Sequence, residues 1–345
     1  MRVLNIMLAE ALGGIESMAL RYHEALKAEG LEVISAGHKK GILSCLPAPE
    51  FAPINALINH DPIAALTLKR LAHRFRPDII LSHGNRPTGI CLLPFLNTAN
   101  KTVQIVHNFR YKSQVRHVRA AICVSRSVLQ SFIGDYPTVP AFGLDNFMPL
   151  CEWPVKPAPQ KVPIMGTLGR LHGNKGLDTA LAAMVRLKSS GCRIKLKIAG
   201  DGPERSALEQ IVHKTGLSDR VTFTGWIDNP SSFLQGLDLF LQPSRIEPFG
   251  LVVAEAMAAG VPVLASAIDG PLQILNNGNL GILFKPDNEE DLAKAIQIAL
   301  SDWTATLNRA RAAQSFALRT YSFESGKSHL VDTLRQIAQI PPKRA

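Results

Sequence analysis

Short apolar runs that stop at a glycine or a polar residue, each followed by a stretch of helical periodicity, recur along this chain and confine it to the α/β class. Val3 to Leu8 leads into an amphipathic stretch that ends at Gly30, and Leu31 to Ala36, Pro77 to His83, Thr102 to Val106 and Ala121 to Ser125 follow. The first of these runs is apolar almost throughout, as a parallel strand covered on both sides must be. From Cys151 to Pro163 the pattern breaks: Pro154, Pro157, Pro159 and Pro163 punctuate a segment with no helical periodicity and few large apolar residues, a linker signal. The alternation restarts at Ile164 to Gly169 and continues through Lys195 to Ala199, Val221 to Trp226, Asp238 to Ser244 and Val261 to Ser266. A chain of 345 residues exceeds one ordinary domain. The prediction is therefore two Rossmann-like domains over residues 1–150 and 163–320, joined by a linker over 151–162 and followed by a helix and tail over 321–345.

Composition narrows the setting. With 46% hydrophobic and 19% charged residues the chain can fill two packed cores and is not disordered. Its five cysteines are scattered without C-x-x-C spacing, so neither a disulfide framework nor a zinc site is indicated. Glu10 cuts the first apolar run short of a signal-peptide core, and no run approaches the ~20 apolar residues of a membrane helix. A cytoplasmic protein is expected, soluble or peripheral on the cytoplasmic face of the inner membrane. The net charge of +10 is unevenly placed: between Pro62 and Arg126 eleven cations, from Lys69 onward, stand against the single acid Asp78. Such a block favours an anionic membrane surface or a phosphorylated acceptor. Nucleic acid is the weakest of the anionic partners and none is expected, because no recognised nucleic-acid module or interleaved aromatic and basic pattern is present.

The stretch Pro243 to Pro262, P-S-R-I-E-P-F-G-L-V-V-A-E-A-M-A-A-G-V-P, carries the chemistry. Glu247 sits among prolines and glycine in a loop, while Leu251 to Ala259 form a helix stopped by Gly260 and Pro262. Where loop becomes helix, at Phe249, Gly250 and Leu251, free amides and the positive end of the dipole make a seat for a phosphate. Glu247 and Glu255 are eight positions apart, so the loop carboxylate can meet the outer part of a ligand and the helical one a diol nearer its middle. Gly169-Arg170-Leu171-His172-Gly173-Asn174-Lys175-Gly176 follows another strand, and its two cations suit a pyrophosphate. It lacks the full P-loop pattern. Gly13 and Gly14 make a tight turn after the first strand, and His83 and His107 end two others, where open α/β sheets bind ligands.

Together these segments resemble the retaining glycosyltransferases of family 4, which have the GT-B fold: two Rossmann-like domains facing each other across a cleft, with a C-terminal helix crossing back to the first. The resemblance rests on E-x7-E (Glu247, Glu255), G-R-x4-K-G (Gly169 to Gly176), A-G-D-G-P (Ala199 to Pro203), F-x-G (Phe223 to Gly225) and Tyr321-Ser322-Phe323-Glu324, which is similar to F-S-W-E. It implies that Glu247 contacts the donor sugar, Glu255 the nucleotide ribose, the amides of Gly250 and Leu251 beside Phe249 the distal phosphate, and Arg170 and Lys175 the diphosphate. It further implies that Gly225 and Trp226 lie near the base, Gly13 and Gly14 face the donor phosphate and acceptor, and His107 stands beside the donor sugar. A catalytic set of His107, Arg170, Lys175 and Glu247 follows, with a nucleotide-sugar donor, an anionic glycan or glycolipid acceptor, no cofactor and no metal. Two departures, Phe142-Gly143-Leu144-Asp145 for N-G-V-D and Gln273 for the Glu of G-G-x-x-E, touch hinge and acceptor geometry. The rival readings are a nucleotide-sugar epimerase or a phosphorylase on the same fold, a catalytically silent binder of sugar nucleotides or other anionic ligands, and a glycosidase using Glu247 and Glu255 as an acid/base pair.

Overall fold

A computed structural model, which describes residues 1–10, 13–56, 58 and 60–341, lays the apolar runs out as two wholly parallel sheets of seven and six strands. The chain divides into two units, Met1–Pro149 with Tyr321–Ala345, and Leu150–Thr320. No helix among the described residues is long and apolar enough to cross a membrane.

In the first unit the strands are β1 (Arg2–Met7), β2 (Glu32–Gly37), β3 (Phe51–Pro53), β4 (Ile79–His83), β5 (Thr102–Val106), β6 (Ala120–Cys123) and β7 (Ala141–Gly143). Their order is β3-β2-β1-β4-β5-β6-β7, so the chain winds to one side from β1 and then returns to wind the other way from β4. The switch point lies between β1 and β4. The helices are α1 (Gly14–Ala28), α2 (Pro62–Phe75), α3 (Asn85–Cys91) and α4 (Arg126–Asp135). Asp61 caps α2 by accepting from the amides of Ile63 and Ala64, with Pro62 in the first turn, an arrangement that local sequence alone specifies. Ser125, read from sequence as the end of a strand, instead caps α4 by accepting from the Val128 amide. The three-residue edge strands β3 and β7 are too short for any periodicity to announce them.

The second unit carries β8 (Ile164–Leu168), β9 (Lys195–Ala199), β10 (Val221–Gly225), β11 (Leu239–Gln242), β12 (Val263–Ser266) and β13 (Ile282–Phe284), ordered β10-β9-β8-β11-β12-β13. Its switch point lies between β8 and β11. The helices are α5 (Leu177–Ser189), α6 (Arg205–Lys214), α7 (Pro230–Gln235), α8 (Leu251–Ala258), α9 (Asp269–Ile274), α10 (Glu289–Ser301) and α11 (Trp303–Thr320). Asn288 caps α10 ahead of Glu289, Glu290 and Asp291, a run of acids suited to the positive end of the dipole.

The proline-rich stretch has no regular secondary structure, yet it is not a loose tether. Trp153 O accepts from Gln314 Nε2 at 2.6 Å, Lys156 Nζ donates to Leu237 O at 2.8 Å, and buried Asp238 takes the Ile164 amide at 2.8 Å and Gln160 Nε2 at 3.2 Å. These bonds lay the stretch along the second unit. The last helix, α12 (Phe323–Gln339), rejoins the first unit against α1. Leu330, Val331, Leu334 and Ile337 are almost wholly buried there, each contributing about 1.5–3 kcal/mol of gross hydrophobic stabilisation. Phe147 links the two helices, stacked on Tyr22 of α1 at 5.6 Å and edge-on to Phe323 at 6.1 Å. Residues 342–345 of the expected tail lie outside the described residues.

Candidate active site

Open α/β sheets bind ligands beyond the carboxyl ends of the strands at the switch point. In the second unit those ends carry the two loops singled out by sequence. The loop after β8 holds Arg170 and Lys175, and the loop after the neighbouring strand β11 holds Glu247. Lys175 Nζ reaches Glu247 Oε2 at 2.6 Å, and Gln242 Nε2, at the end of β11, donates to the same oxygen at 2.7 Å. Gln242 Nε2 also meets Ser244 Oγ at 2.9 Å. Glu247 is only 13% exposed; Oε2 is held by two donors, while Oε1 makes no hydrogen bond to a described residue. Arg170 is exposed and forms no ion pair with a described residue. A cleft runs between these loops, lined by Gly169, Arg170, Lys175, Gln242, Pro243 and Ser244.

Arg245 fastens the two loops together. Its guanidinium grips Asp178 at 2.9 and 2.8 Å, pairs with Asp287 at 2.6 Å and donates to Gly173 O at 2.7 Å, while its amide donates to Asn174 O at 2.8 Å. The fork geometry of a guanidinium suits this bidentate pairing. The Asp178 bond, partly opposed by burial, raises the Arg245 pKa. Burial works against the Asp178 carboxylate, yet its bond to Arg245 leaves its pKa lowered. Gly200, directly after β9, admits no side chain, since an added Cβ would stand 2.0 Å from Gly169 O.

Eight residues after Gln242, Gly250 opens α8 at φ +107°, a conformation that favours glycine, and no side chain caps the helix. The first-turn amides at Gly250 and Leu251 are therefore not occupied by a capping side chain, with Phe249 buried behind them. Glu255 is half-buried one turn along the helix, about 6 Å up its axis from Leu251. The Gly270 amide donates to Glu247 O at 3.0 Å and braces the loop from the α9 side, where burial raises the Asp269 pKa. Gly225 and Trp226 stand apart from this cluster. Gly225 ends the edge strand β10, two positions from β8, its O accepting from the Gly200 amide at 2.7 Å, and Trp226 follows it, 65% exposed.

The first unit has its own polar constellation at the β1/β4 switch point. Gly13 and Gly14 are exposed at the start of α1; Ala11 and Leu12 of the same loop lie outside the described residues. His83 Nδ1 and His107 Nε2 are 3.0 Å apart, and His83 Nε2 is 2.8 Å from Asn5 Oδ1 on β1. Burial pushes the His107 pKa down to about 3. Burial, then the neighbouring His107, takes His83 well below the ordinary value. Both rings are therefore neutral at physiological pH.

Sequence reading missed Asn5, Gln242 and Arg245. Asn5 interrupts the apolar run of β1, Gln242 ends that of β11, and both are almost wholly buried. Burying an amide without partners is costly, so each carried a signal that it must be bonded to something specific. Arg245 carried none, because its partners come from distant parts of the chain. Among the described residues no group of three histidine, cysteine or acidic side chains could hold a metal ion.

Residues 152–316 match the model of group 1 glycosyl transferases and residues 12–141 that of glycosyltransferase family 4. The chain belongs to these family 4 glycosyltransferases and has their GT-B fold. Among curated relatives it is 27% identical over 242 residues to LpsE of Rhizobium meliloti, a lipopolysaccharide core biosynthesis glycosyltransferase, covering 69% of each chain. Other curated relatives match over 46%, 35% and 40% of their own length. Among solved structures, HepE of Anabaena in complex with UDP and glucose superposes with a TM-score of 0.81 at 19% identity, covering 97% of this chain and 100% of that one. Sucrose-phosphate synthase of Thermosynechococcus elongatus gives 0.84 at 20% identity, over 97% and 98%.

Proposed function

We propose that the protein is a retaining glycosyltransferase. It moves a hexose-type sugar from a UDP- or GDP-linked donor to a glycan or glycolipid acceptor in the synthesis of lipopolysaccharide or another cell-surface polysaccharide. The observation that carries the reading is the convergence of Arg170, Lys175, Gln242 and Glu247 beside the uncapped start of α8 at the β8/β11 switch point. Arg170, Lys175 and the Gly250 and Leu251 amides take the donor diphosphate, and Glu255 grips the ribose. Glu247 offers Oε1 to the donor sugar while Lys175 and Gln242 fix its other oxygen.

In the reaction the bond from the anomeric carbon to the phosphate oxygen breaks, and the acceptor oxygen bonds that carbon on the same face. The acceptor proton passes to the departing phosphate oxygen. The two cations and the amides offset the charge that grows on the leaving diphosphate, so this reading assigns no step to a metal or cofactor. His107, Gly13 and Gly14 are assigned to the same reaction, and Gly225 and Trp226 flank the base. A glycosidase with Glu247 and Glu255 as its acid/base pair would leave Arg170 and Lys175 without a purpose.

The acceptor side is supported by the surface of α2. Ile63 is 75% and Leu66 50% exposed, and Arg70 and Arg74 continue the same helical stripe, with Lys69 beside them over the exposed Phe95 ring at 5.7 Å. Apolar residues bordered by cations fit the headgroup region of an anionic bilayer. The sequence block of eleven cations is thereby divided. Arg119 is spent on the carbonyls of Ala338 and Ile340, Lys101 on Pro77 O and Arg86 on Ala56 O.

A panel of UDP- and GDP-sugars tests the function, first by thermal shift and then by turnover with a lipopolysaccharide core acceptor, the product anomer being read by NMR. One sugar nucleotide raises the melting temperature and transfers with retention. Stabilisation by none of them, or an inverted product, overturns the reading.

A further inference from the structure

A hydrogen-bonded line of buried side chains crosses the first sheet from His107. It runs from His107 Nε2 to His83 Nδ1 at 3.0 Å, from His83 Nε2 to Asn5 Oδ1 at 2.8 Å, and from Asn5 Nδ2 to Ser35 Oγ at 3.0 Å. It continues from Ser35 Oγ to His23 Nδ1 at 2.9 Å and ends at the Glu50 carboxylate, 3.0 Å from His23 Nε2 and 2.8 Å from Lys27 Nζ. Asn5 and Ser35 are register partners on β1 and β2, which sets them side by side on one face. Asn5, Ser35, His23 and His83 are at most 2% exposed.

The direction of every bond is fixed by groups that cannot change role. Asn5 Nδ2 also donates to Ala19 O of α1 at 2.9 Å. A backbone carbonyl only accepts, so the amide cannot be turned over, and Oδ1 must be the atom that faces His83. His83 Nε2 therefore carries the proton, and in a neutral ring Nδ1 is then a bare acceptor. His107 Nε2 must donate to it. His107, also neutral, is left with a bare Nδ1, and that atom makes no hydrogen bond to a described residue. The far end agrees: Glu50 only accepts, so His23 donates from Nε2, and with burial lowering its pKa the neutral ring leaves Nδ1 to accept from Ser35.

We propose that Asn5, oriented by Ala19 O, is a positioning residue that acts through His83 to fix His107 in its Nε2–H tautomer, presenting Nδ1 as an obligate hydrogen-bond acceptor to a sugar hydroxyl. The sugar contact rests on the transferase reading above; the tautomer does not. A histidine free to choose would spend part of its time offering an N–H, which cannot accept from a hydroxyl. Preorganising one tautomer removes that cost.

The test is nitrogen NMR of the full chain labelled with 15N-histidine, His107 being assigned by the signal lost in His107→Gln. At neutral pH the wild-type His107 shows a pyrrole-type Nε2 and a pyridine-type Nδ1. The opposite pattern, or an imidazolium, overturns the proposal with or without a working substrate. Asn5→Leu removes the acceptor, so His107 becomes a mixture of tautomers and kcat/KM falls roughly tenfold, the worth of one hydrogen bond. Ser35→Ala, equally buried on the next strand, leaves the Asn5 amide held by Ala19 O; it keeps the wild-type His107 spectrum and kcat/KM within about twofold. An unchanged His107 pattern in Asn5→Leu, or the same mixture in Ser35→Ala, refutes the role of Asn5. Should Asn5→Leu not fold, Asn5→Ala carries the same expectation. A wild type with the stated tautomer that turns over no sugar nucleotide sinks the transferase reading and leaves the tautomer standing.

Discussion

Replacing Glu247 by glutamine should pull nucleotide affinity and turnover in opposite directions. Glu247 Oε2 lies 2.6 Å from Lys175 Nζ, with the two side chains 13% and 29% exposed. In a medium of effective dielectric ~20 such a pair would attract by several kcal/mol, but Lys175 opens to solvent, which reduces the net value to about 0.5–1 kcal/mol. That attraction competes with the diphosphate for the same ammonium. Glu247→Gln releases it, so free UDP or GDP should bind about two- to fivefold more tightly by calorimetry. The carboxylate that meets the donor sugar is lost at the same time. A charged hydrogen bond of ~1.5–3 kcal/mol disappears, and kcat/KM for the matching sugar nucleotide should fall roughly 10- to 150-fold. The amide keeps the shape of the side chain and one acceptor for Gln242, so the melting temperature should barely move. Weaker binding of the free diphosphate, or an unchanged kcat/KM, would refute the idea that Glu247 restrains Lys175 while serving the sugar.

Glu255→Ala should weaken free nucleoside diphosphate by ~1.5–3 kcal/mol if the carboxylate holds the ribose diol; unchanged affinity by calorimetry removes it from the nucleotide site. Stability should depend on pH through His83 and His107, whose folded pKa values are depressed below the unfolded ~6.5. Their contribution is complete above pH ~6.5 and is lost as pH falls toward 3, at about 1.4 kcal/mol per unit for each ring kept neutral. Urea midpoints measured from pH 7 to 5 should therefore drop, and His83→Gln combined with His107→Gln should flatten that slope; parallel slopes would contradict the burial of neutral rings. The full chain should sediment with anionic vesicles at low salt and be released at high salt, and Ile63→Ser with Leu66→Ser should weaken this several-fold. Equal binding to neutral and anionic vesicles would rule out docking through α2.

The sequence by itself determined the α/β alternation, its interruption near residue 155 and its restart, because apolar runs, glycine stops and capping residues act over a few neighbouring positions. The loop positions of Glu247, Arg170 and Lys175 and the helical position of Glu255 were legible for a related reason: each sits in a short motif whose loop and helix signals are local. What only the tertiary structure decided is which of these groups meet. Lys175 and Glu247 are 72 residues apart, and only the strand order β8-β11 brings their loops together. Arg245 looked like an ordinary loop arginine until folding delivered Gly173, Asp178 and Asp287 to it. The eleven-cation block shows the reverse case, since side-chain direction, which composition does not encode, sent Arg119 to the C-terminal carbonyls and left the α2 stripe exposed. The line from His107 to Glu50 lay furthest from reach of the sequence. Its polarity depends on the Ala19 carbonyl, a backbone atom identical in every residue type, whose meeting with Asn5 is set by the packing of α1 on β1.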